Sequence, residues 1–264
     1  MISFKQLHYG EEPLLLGNVW NVESAKVYEK LGYKALATSS SAVALSLGYK
    51  DGEEMTFEEY FYIIKRIRAS VSIPLSVDLE SGYGSENDIV VSNIMKLIEA
   101  GVSGINIEDT KVIDGTRRLT DRNVLYEKLN DIFIRLGADR DRVFINIRTD
   151  PFLLNIENAL EETLARISLF EELKADGIFV PGITSENDIR TVTASTSLPV
   201  NVMSMADLPD FDQLKELGVK RITSGPFMYA YIYRKMEKAG QAITDEKTFQ
   251  NFLCNHGAHG KNNV

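Results

Sequence analysis

The sequence predicts a closed barrel of eight parallel strands, each followed by a helix: the α/β class, (β/α)8 or TIM-barrel fold. Eight short apolar runs alternate throughout with eight segments whose apolar residues recur at helical spacing. Strict alternation requires parallel strands with the helices outside them. The chain has 264 residues, 44% of them hydrophobic, which suffices for one large core. Eight units in about 225 residues favour a closed barrel over an open sheet.

The first half of the chain is divided by recognisable helix boundaries. The apolar run at residues 14–20 ends in polar residues, and the helical spacing that follows stops at Gly32. Thr56 and Glu59 form a capping-box pattern that opens the next long helix. Residues 39–52 are predicted to be a loop. The predicted strands of this half are residues 14–20, 35–38, 74–80 and 104–109, and the predicted helices are residues 21–31, 56–71, 86–100 and 121–136.

The second half repeats the same cycle. Its helices end in phrases like those of the first half, such as the Glu-Leu-Gly-Val-Lys-Arg segment around Gly218. The predicted strands are residues 143–150, 177–181, 199–203 and 221–224, and the predicted helices are residues 156–174, 186–193, 211–217 and 227–239. A polar tail from about residue 245 to 264 is expected to fray. We therefore predict a single barrel domain over residues 1–264.

A doubly wound open sheet is the alternative architecture. It would leave the first and eighth strands as edges, and edge strands need protection against pairing with other chains. The sequence contains no obvious protective device in either strand. The closed barrel is therefore the favoured prediction.

Composition excludes several classes of function. The net charge is −9 and no block of Lys or Arg stands out, so a nucleic-acid partner is not expected. No apolar run reaches the ~18 residues of a membrane span, and the N-terminal residues lack the apolar core of a signal peptide. A single cysteine, Cys254, excludes an internal disulfide framework and fits a reducing compartment. We expect a cytoplasmic protein.

Two acids at the end of the third predicted strand suggest a metal site. Asp78 and Glu80 are two residues apart, so their side chains point to the same face of a strand. Like charges that close repel each other unless a cation lies between them. Mg²⁺ takes carboxylate ligands and keeps several waters, which suits this pair. The residues alone also allow the simpler interpretation of two solvated acids at a strand end.

Active sites of such barrels form where the strands end, so we list what lies there. The charged candidates are Asp51, Asp78, Glu80, Glu108 and Arg148. The other candidates for substrate contact are Trp20, Thr38, Ser39, Ser40 and Asn201. Arg148 could bind a substrate carboxylate with two hydrogen bonds, and the serine run could supply hydroxyl and backbone N–H groups to a second one. Turn and capping roles for the serines, and a salt bridge within the barrel for Arg148, remain open.

Several motifs resemble those of the isocitrate lyase/phosphoenolpyruvate mutase superfamily. The resemblance runs from about residue 10 to 235, with the motifs in the right order. The Val-Asp-Leu-Glu-Ser-Gly-Tyr-Gly segment resembles the metal-binding signature of that superfamily. The matching segments are residues 77–84, 107–109, 147–150, 46–51 and 15–21.

The resemblance implies Mg²⁺, with Mn²⁺ as a substitute, and a small α-keto or α-hydroxy carboxylate that reacts through an enolate-like state. By position, Asp78 resembles the direct metal ligand, and Asp51, Glu80 and Glu108 resemble the ligands that act through water. Arg148 resembles the carboxylate clamp, and Ser39 and Ser40 the backbone cradle. Arg148, Asp51 and Glu108 are the residues expected to carry catalysis. The resemblance also implies a homotetramer, a dimer of dimers, whose last helix is exchanged between subunits.

The sequence also departs from the superfamily pattern. The lyases carry a Lys-Lys-Cys-Gly-His loop after the fourth strand, whereas residues 109–118 contain neither Cys nor His. Pro181 and Gly182 stand where the lyases place a Glu, and the gating loop and His of the mutase branch are also missing. These losses argue against cleavage of isocitrate or methylisocitrate. Residues 111–118 are predicted to be a shortened lid from which Lys111, Arg117 or Arg118 faces the site, or else a solvated charged loop.

The sequence therefore predicts a Mg²⁺-dependent lyase or phosphomutase-type enzyme that makes or breaks a C–C or P–C bond next to a small keto-acid carboxylate. The alternative is a protein of the same fold that binds an α-keto acid with Mg²⁺ and catalyses nothing. A Schiff-base aldolase is disfavoured, because no Lys lies at the end of a predicted strand.

Overall fold

The computed structural model describes residues 3–250 and contains eleven strands within that range. Their side chains alternate between faces, and most of the barrel strands are buried on both faces, as parallel strands under helices require. The strands are β1 (Leu14–Leu15), β2 (Gly17–Val19), β3 (Leu36–Thr38), β4 (Leu75–Asp78), β5 (Gly104–Glu108), β6 (Thr110–Ile113), β7 (Thr116–Leu119), β8 (Phe144–Arg148), β9 (Gly177–Phe179), β10 (Val200–Met203) and β11 (Arg221–Thr223).

The same range contains ten α-helices. Asn21, Ser39, Thr56, Asp121, Ser185 and Asp210 each cap a helix with a side-chain oxygen. The helices are α1 (Phe4–Leu7), α2 (Val22–Lys30), α3 (Ser40–Leu47), α4 (Phe57–Arg68), α5 (Asn87–Glu99), α6 (Arg122–Leu136), α7 (Ala159–Glu172), α8 (Glu186–Ala194), α9 (Phe211–Glu216) and α10 (Phe227–Glu246).

The sheet closes on itself, which confirms the (β/α)8 barrel and excludes the doubly wound sheet. Nine parallel strands follow the order β1-β11-β10-β9-β8-β5-β4-β3-β2. The predicted first strand is divided at Leu16: β1 pairs with β11, and β2 pairs with β3. One strand position therefore joins the two ends of the sheet, and neither end is left as a free edge.

Helix α1 lies at the N-terminal end of the barrel. Phe4 packs edge-on against Phe144 at the start of β8, and the two belong to one core cluster with Leu14, Leu16 and Ala37. The ring of His8 stacks on Phe144 with a centroid distance of 4.1 Å. These contacts cover the end of the barrel opposite to the strand ends where the candidate residues lie.

Two segments differ from the sequence-based prediction. The predicted loop at 39–52 contains helix α3, which begins directly after β3. The segment at 109–118 forms the antiparallel hairpin β6–β7, whose turn residues Asp114 and Gly115 both have positive φ, 51° and 72°. The last predicted helix, residues 227–239, was too short, because α10 continues to Glu246. The predicted polar tail falls mainly on residues 251–264, with Cys254, which lie outside the described range.

The chain divides into two compact units, residues 1–225 and residues 226–264. The first holds the barrel, and the second contains α10, which has no buried residue. The exchange of the last helix between subunits and the tetrameric assembly stay predictions. Within the described residues, no helix combines the length and apolar character that crossing a membrane would take.

Candidate active site

Asp78 ends β4 at the mouth of the barrel, and side chains from three neighbouring elements surround its carboxylate. Ser40 Oγ donates to Asp78 Oδ2 at 2.8 Å, and Asn106 Nδ2 lies 3.4 Å from Oδ1. Arg148 Nη1 is 3.9 Å from Oδ2. The carboxylate is thus oriented by neutral donors, with a cation at the limit of ion-pair distance.

Thr38 and Tyr60 hold the backbone of Asp78 in place. The hydroxyl of Thr38 accepts from the backbone N–H of Asp78 at 3.0 Å and lies 2.5 Å from the hydroxyl of Tyr60. Tyr60 in turn donates to the carbonyl of Asp78 at 3.1 Å. Both side chains are buried. The substrate contact predicted for Thr38 stays a prediction, and the structure gives it a role in fixing the end of β4.

The serine run forms the start of helix α3. Ser39 is the N-cap and its hydroxyl accepts from the N–H of Ala42, while Ser40 is the first helical residue. The N-terminal end of a helix attracts anions, since its first N–H groups point outward and the helix dipole is positive there. The structure thus brings Ser39, Ser40 and Asp78 together at the mouth. Ser39 also has the capping role that the sequence analysis left open, because it is the N-cap of α3.

Glu80 is a buried carboxyl in a constrained backbone. Its φ is +50°, a left-handed conformation that is costly for a residue with a Cβ. Tyr83 donates its hydroxyl to Oε1 at 2.7 Å, and Oε2 has no hydrogen-bond partner within residues 3–250. Burial raises the pKa of Glu80 to about 9, and the nearby charges of Asp51 and Glu108 act in the same direction. This carboxyl lacks compensating positive charge.

Arg148 at the end of β8 is held by two acids. Its Nε and Nη2 donate to the two carboxylate oxygens of Asp150 at 2.7 and 2.9 Å, a two-pronged contact. Its Nη1 lies 2.9 Å from Glu108 Oε2 without an aligned hydrogen bond. Burial raises the pKa of Glu108, while Arg148 and Arg117 oppose that shift. Salt bridges within the barrel thus hold the Arg148 guanidinium at the mouth, and its role as a substrate-carboxylate clamp stays a prediction.

A second buried arginine fixes the chain around Asp150. Arg166 of α7 donates to Asp109 at 3.0 Å, and Asp109 accepts from the Thr149 hydroxyl at 2.7 Å and from the backbone N–H of Asp150 at 3.0 Å. Burial, followed by the charge of Asp150, raises the pKa of Asp109 to about 6, while Arg166 opposes the shift. These contacts connect the end of β5 to the end of β8.

Arg117, on strand β7 of the hairpin, faces the acid cluster. One Nη donates to Asp51 at 2.8 Å, and the other forms an ion pair with Glu108 and donates to Thr110 at 2.8 Å. Asp150 Oδ2 is 3.8 Å from the same guanidinium. Of the three lid residues considered from sequence, Arg117 reaches the acids, Lys111 lines the adjacent cavity, and Arg118 is exposed.

A cavity of about 400 Å³ lies beside the mouth, between the hairpin and the segment that follows β4. Its volume suits a small organic acid. The walls carry both signs of charge. The lining residues are Gly52, Glu53, Glu80, Ser81, Gly84, Ser85, Glu108, Thr110, Lys111 and Val112.

Trp20 and Asn201 were also predicted to contact substrate. Trp20 follows β2 at the mouth and is buried. Asn201 is fully buried inside the barrel, where its amide accepts from Asn146 at 3.3 Å and donates to the carbonyl of Arg221 at 3.2 Å. The structure therefore places Asn201 in an internal polar network, and the substrate contacts of both residues stay predictions.

The acid cluster fits a hydrated divalent cation better than a directly chelated one. Within residues 3–250 no three Asp, Glu, His or Cys side chains converge to hold one ion. Asp78 offers an oriented carboxylate at the end of β4, and the unpartnered buried oxygen of Glu80 needs compensating charge. An ion that keeps most of its waters, as Mg²⁺ does, would suit one direct carboxylate and further acids that contact its waters.

The sequence model of the family described as Phosphoenolpyruvate phosphomutase matches residues 4–244. The chain belongs to this family. It is accordingly an enzyme of the lyase and mutase type, as the sequence motifs predicted.

Similar proteins agree with this family assignment. The uncharacterized protein Rv1998c of Mycobacterium tuberculosis (strain ATCC 25618 / H37Rv) is 30% identical over 92% of this chain and 90% of its own length. The oxaloacetate decarboxylase of Rhodopseudomonas palustris (strain TIE-1) is 28% identical over 86% of this chain and 79% of its own length. A crystal structure of a candidate phosphonomutase from Burkholderia cenocepacia J2315 is 39% identical, with a TM-score of 0.83, and covers 90% of this chain and 97% of that one.

Sequence reasoning missed several residues that surround the acid cluster. Tyr60 and Tyr83 lie on segments where aromatic residues are unremarkable, so no signal marked them. Asn106 carried a signal, since it lies two residues before Glu108 in an otherwise apolar strand and therefore shares its face. Asp150 was recognised at the end of the fifth predicted strand, but its contact with Arg148 was not.

Proposed function

We propose that the protein is a Mg²⁺-dependent carbon–carbon lyase that decarboxylates a small β-keto dicarboxylate of the oxaloacetate type. The observation that carries this proposal is the carboxylate of Asp78, oriented at the mouth by Ser40 and Asn106 and flanked by the cation of Arg148. The similarity to proteins named oxaloacetate decarboxylase supports the substrate class. Mn²⁺ is expected to replace Mg²⁺.

Decarboxylation suits a site without the Cys, His and Glu of the lyases. In a β-keto acid the leaving carboxylate is already ionised, so no base has to start the reaction. The bond between C3 and the carboxylate carbon breaks, its electron pair moves into an enolate, and CO₂ leaves. Water then protonates C3 to give the keto acid. Cleavage of a hydroxy acid would instead require a base to remove the hydroxyl proton.

The residues of this chain would bind the substrate through its charges. Arg148 supplies a fixed guanidinium at the mouth, since Asp150 and Glu108 hold it in place. The N-terminus of α3, with the hydroxyl of Ser40, supplies a second anion-binding element. Positive groups aimed at the oxygen that gains charge lower the barrier, because they are already oriented when the bond breaks.

A bound Mg²⁺ would supply Lewis-acid stabilisation of the keto oxygen, with Asp78 as its direct ligand and Asp51, Glu80 and Glu108 contacting its waters. Arg117 would then share Asp51 and Glu108 with that ion. The hairpin that carries Arg117 is thereby tied to the state of the acid cluster.

Calorimetric titration with oxalate tests the site before any reaction is assumed. Oxalate resembles the enolate of a small keto acid. We expect tight binding by metal-free protein only when Mg²⁺ is added, and loss of that binding in Asp78→Asn. Asp139→Asn, which alters an exposed ion pair with Arg142, is the matched control and should bind normally. Absence of binding in both conditions would count against the proposal.

A binding protein without catalysis is the second candidate. It is favoured by the pairing of Asp51 and Glu108 with Arg117, since this pairing offsets the acid charges within the protein itself. Such a protein would bind oxalate with Mg²⁺ and leave oxaloacetate intact. Turnover that disappears in Asp78→Asn would exclude it.

A further inference from the structure

Arg221 places a positive charge inside the barrel, beneath the mouth. It is the first residue of β11, and its side chain is 1% exposed. Register pairs it with Leu14 of β1 and Asn201 of β10, so it belongs to the interior of the closed sheet. A buried guanidinium is expensive to remove from water unless an acid or several acceptors compensate its charge.

Arg221 has few partners for a buried cation. No carboxylate of the described residues lies within ion-pair distance of it, and its Nε and Nη1 have no hydrogen-bond partner within the same range. Its Nη2 lies 3.3 Å from Asn106 Oδ1. Arg166, by comparison, is equally buried but contacts Asp109 and Glu162 directly. Within the described residues, no direct ion pair therefore compensates the charge of Arg221.

The amide of Asn106 connects Arg221 to the acid at the mouth. Its oxygen accepts from Arg221 and from Asn146 Nδ2, at 3.3 and 2.9 Å, and its Nδ2 faces Asp78 Oδ1 at 3.4 Å. Two donors on one side fix the orientation of the amide, so that its own donor group must point to Asp78. A donor polarised by a cation is a stronger partner for a carboxylate than an isolated amide.

We propose that Arg221 is a positioning residue for Asp78, acting from inside the barrel through the amide of Asn106. Its charge offsets that of Asp78 before a cation arrives, and it acts through an amide whose orientation Asn146 also fixes. The value of this arrangement for catalysis rests on the proposed function, in which Asp78 binds Mg²⁺. The coupling between Arg221 and Asp78 does not depend on the proposed function, because it can be measured in metal-free protein.

A double-mutant cycle of Arg221→Met and Asp78→Asn tests the coupling. The free energy of unfolding of each variant is measured by chemical denaturation in the presence of a chelator. We expect Asp78→Asn to shift the folding equilibrium about fivefold more favourably in the Arg221→Met background than in the unmodified protein. A merely structural Arg221 would give additive effects. Additivity would overturn the proposal. Arg221→Gln replaces Arg221→Met if the latter does not fold.

Two further cycles locate the effect. Arg140→Met removes a different arginine, which pairs with Asp176 at the N-terminal end of the barrel, and its cycle with Asp78→Asn should be additive. Asn106→Leu breaks the connection, so the coupling between Arg221 and Asp78 should fall toward zero. If Arg221 and Asp78 are still fully coupled in the Asn106→Leu variant, their coupling does not pass through the Asn106 amide.

Calorimetry with Mg²⁺ separates this inference from the proposed function. Loss of a positive charge near Asp78 should tighten Mg²⁺ binding several-fold in Arg221→Met, whereas a residue that only supports the fold could only weaken it. Weaker binding would contradict the role of the charge. If the unmodified protein binds no Mg²⁺ at all, the proposed function fails, and the metal-free cycle still decides the coupling.

Discussion

Asp150 accepts hydrogen bonds from both Nε and Nη2 of Arg148, two residues earlier in the same strand end, at 2.7 and 2.9 Å. The guanidinium is therefore fixed before any substrate arrives. Asp150 is itself held through its backbone N–H by Asp109, and its side chain is completely buried. The main cation of the proposed site thus depends on an acid that does not need to touch the substrate.

Replacing Asp150 by Asn should lower turnover through misplacement of Arg148. Asn keeps the size of the side chain but loses one acceptor and the negative charge. We expect kcat for oxaloacetate to fall about tenfold to a hundredfold, because small displacements of an orienting group have effects of this size. Steady-state kinetics on Asp150→Asn and on the control Asp139→Asn measure the effect. An unchanged kcat would show that Arg148 needs no fixed orientation.

Removing Arg117 should expose the mutual repulsion of the acids. In Arg117→Ala the buried carboxylate of Glu108 keeps Arg148 but loses its second cationic partner, which should destabilise metal-free protein by about 2 kcal/mol. Saturating Mg²⁺ should restore much of this loss, because it supplies positive charge at the same acids. Thermal unfolding with chelator and with Mg²⁺ measures both states. Arg118→Ala, on the exposed face of the hairpin, is the control; an equal loss there would contradict the assignment.

Gly52 couples the position of Asp51 to the hairpin. Its φ is +105°, and a Cβ at this position would overlap the side chain of Val112 on β6. Gly52→Ala should therefore push the hairpin away from Asp51 and lower turnover, in addition to a backbone cost of about 1 kcal/mol. Gly115→Ala, with φ +72° and open space around it, has the backbone cost alone. Equal activity of the two variants would exclude a role for the Gly52–Val112 contact.

His8 should make the protein sensitive to acid. Burial, followed by the charge of Arg221, lowers the pKa of His8 to about 3. His8 takes up a proton near pH 6.5 in the unfolded chain but not in the folded chain. The free energy of unfolding therefore has its full value above that pH and decreases as the pH falls toward 3. At pH 5 the loss amounts to about 2 kcal/mol. Chemical denaturation across this pH range should show that the free energy of unfolding of His8→Phe depends less on pH than that of the unmodified protein. An equal pH dependence would contradict this role of His8.

Much of the fold could be predicted because strands and helices alternate without interruption. Helix α3 could not, because Ala42, Val43 and Ala44 form an apolar run without helical periodicity, directly after a serine-rich stretch typical of loops. The β6–β7 hairpin did carry a signal, the Asp114-Gly115 pair typical of a two-residue turn. The strongly charged residues around that pair made the segment look like solvated loop.

The candidate site was predictable to the extent that it depends on strand ends. Asp78, Glu108 and Arg148 lie at the ends of β4, β5 and β8, where the barrel topology requires active-site residues. The partners that come from elsewhere were not predictable. Arg117 contacts Asp51 across 66 residues of sequence, and only the folded hairpin decides which of its arginines faces inward.

Turnover of oxaloacetate tests the central claim most directly. Pyruvate formation is followed with Mg²⁺, with Mn²⁺ and after chelation, in the unmodified protein and in Asp78→Asn, against the protein-free rate at the same metal concentration. We predict turnover with either metal, none after chelation, and a loss of about a hundredfold or more in Asp78→Asn, with its circular dichroism unchanged. No pyruvate above the protein-free rate in any condition, or equal turnover by Asp78→Asn, would contradict the account.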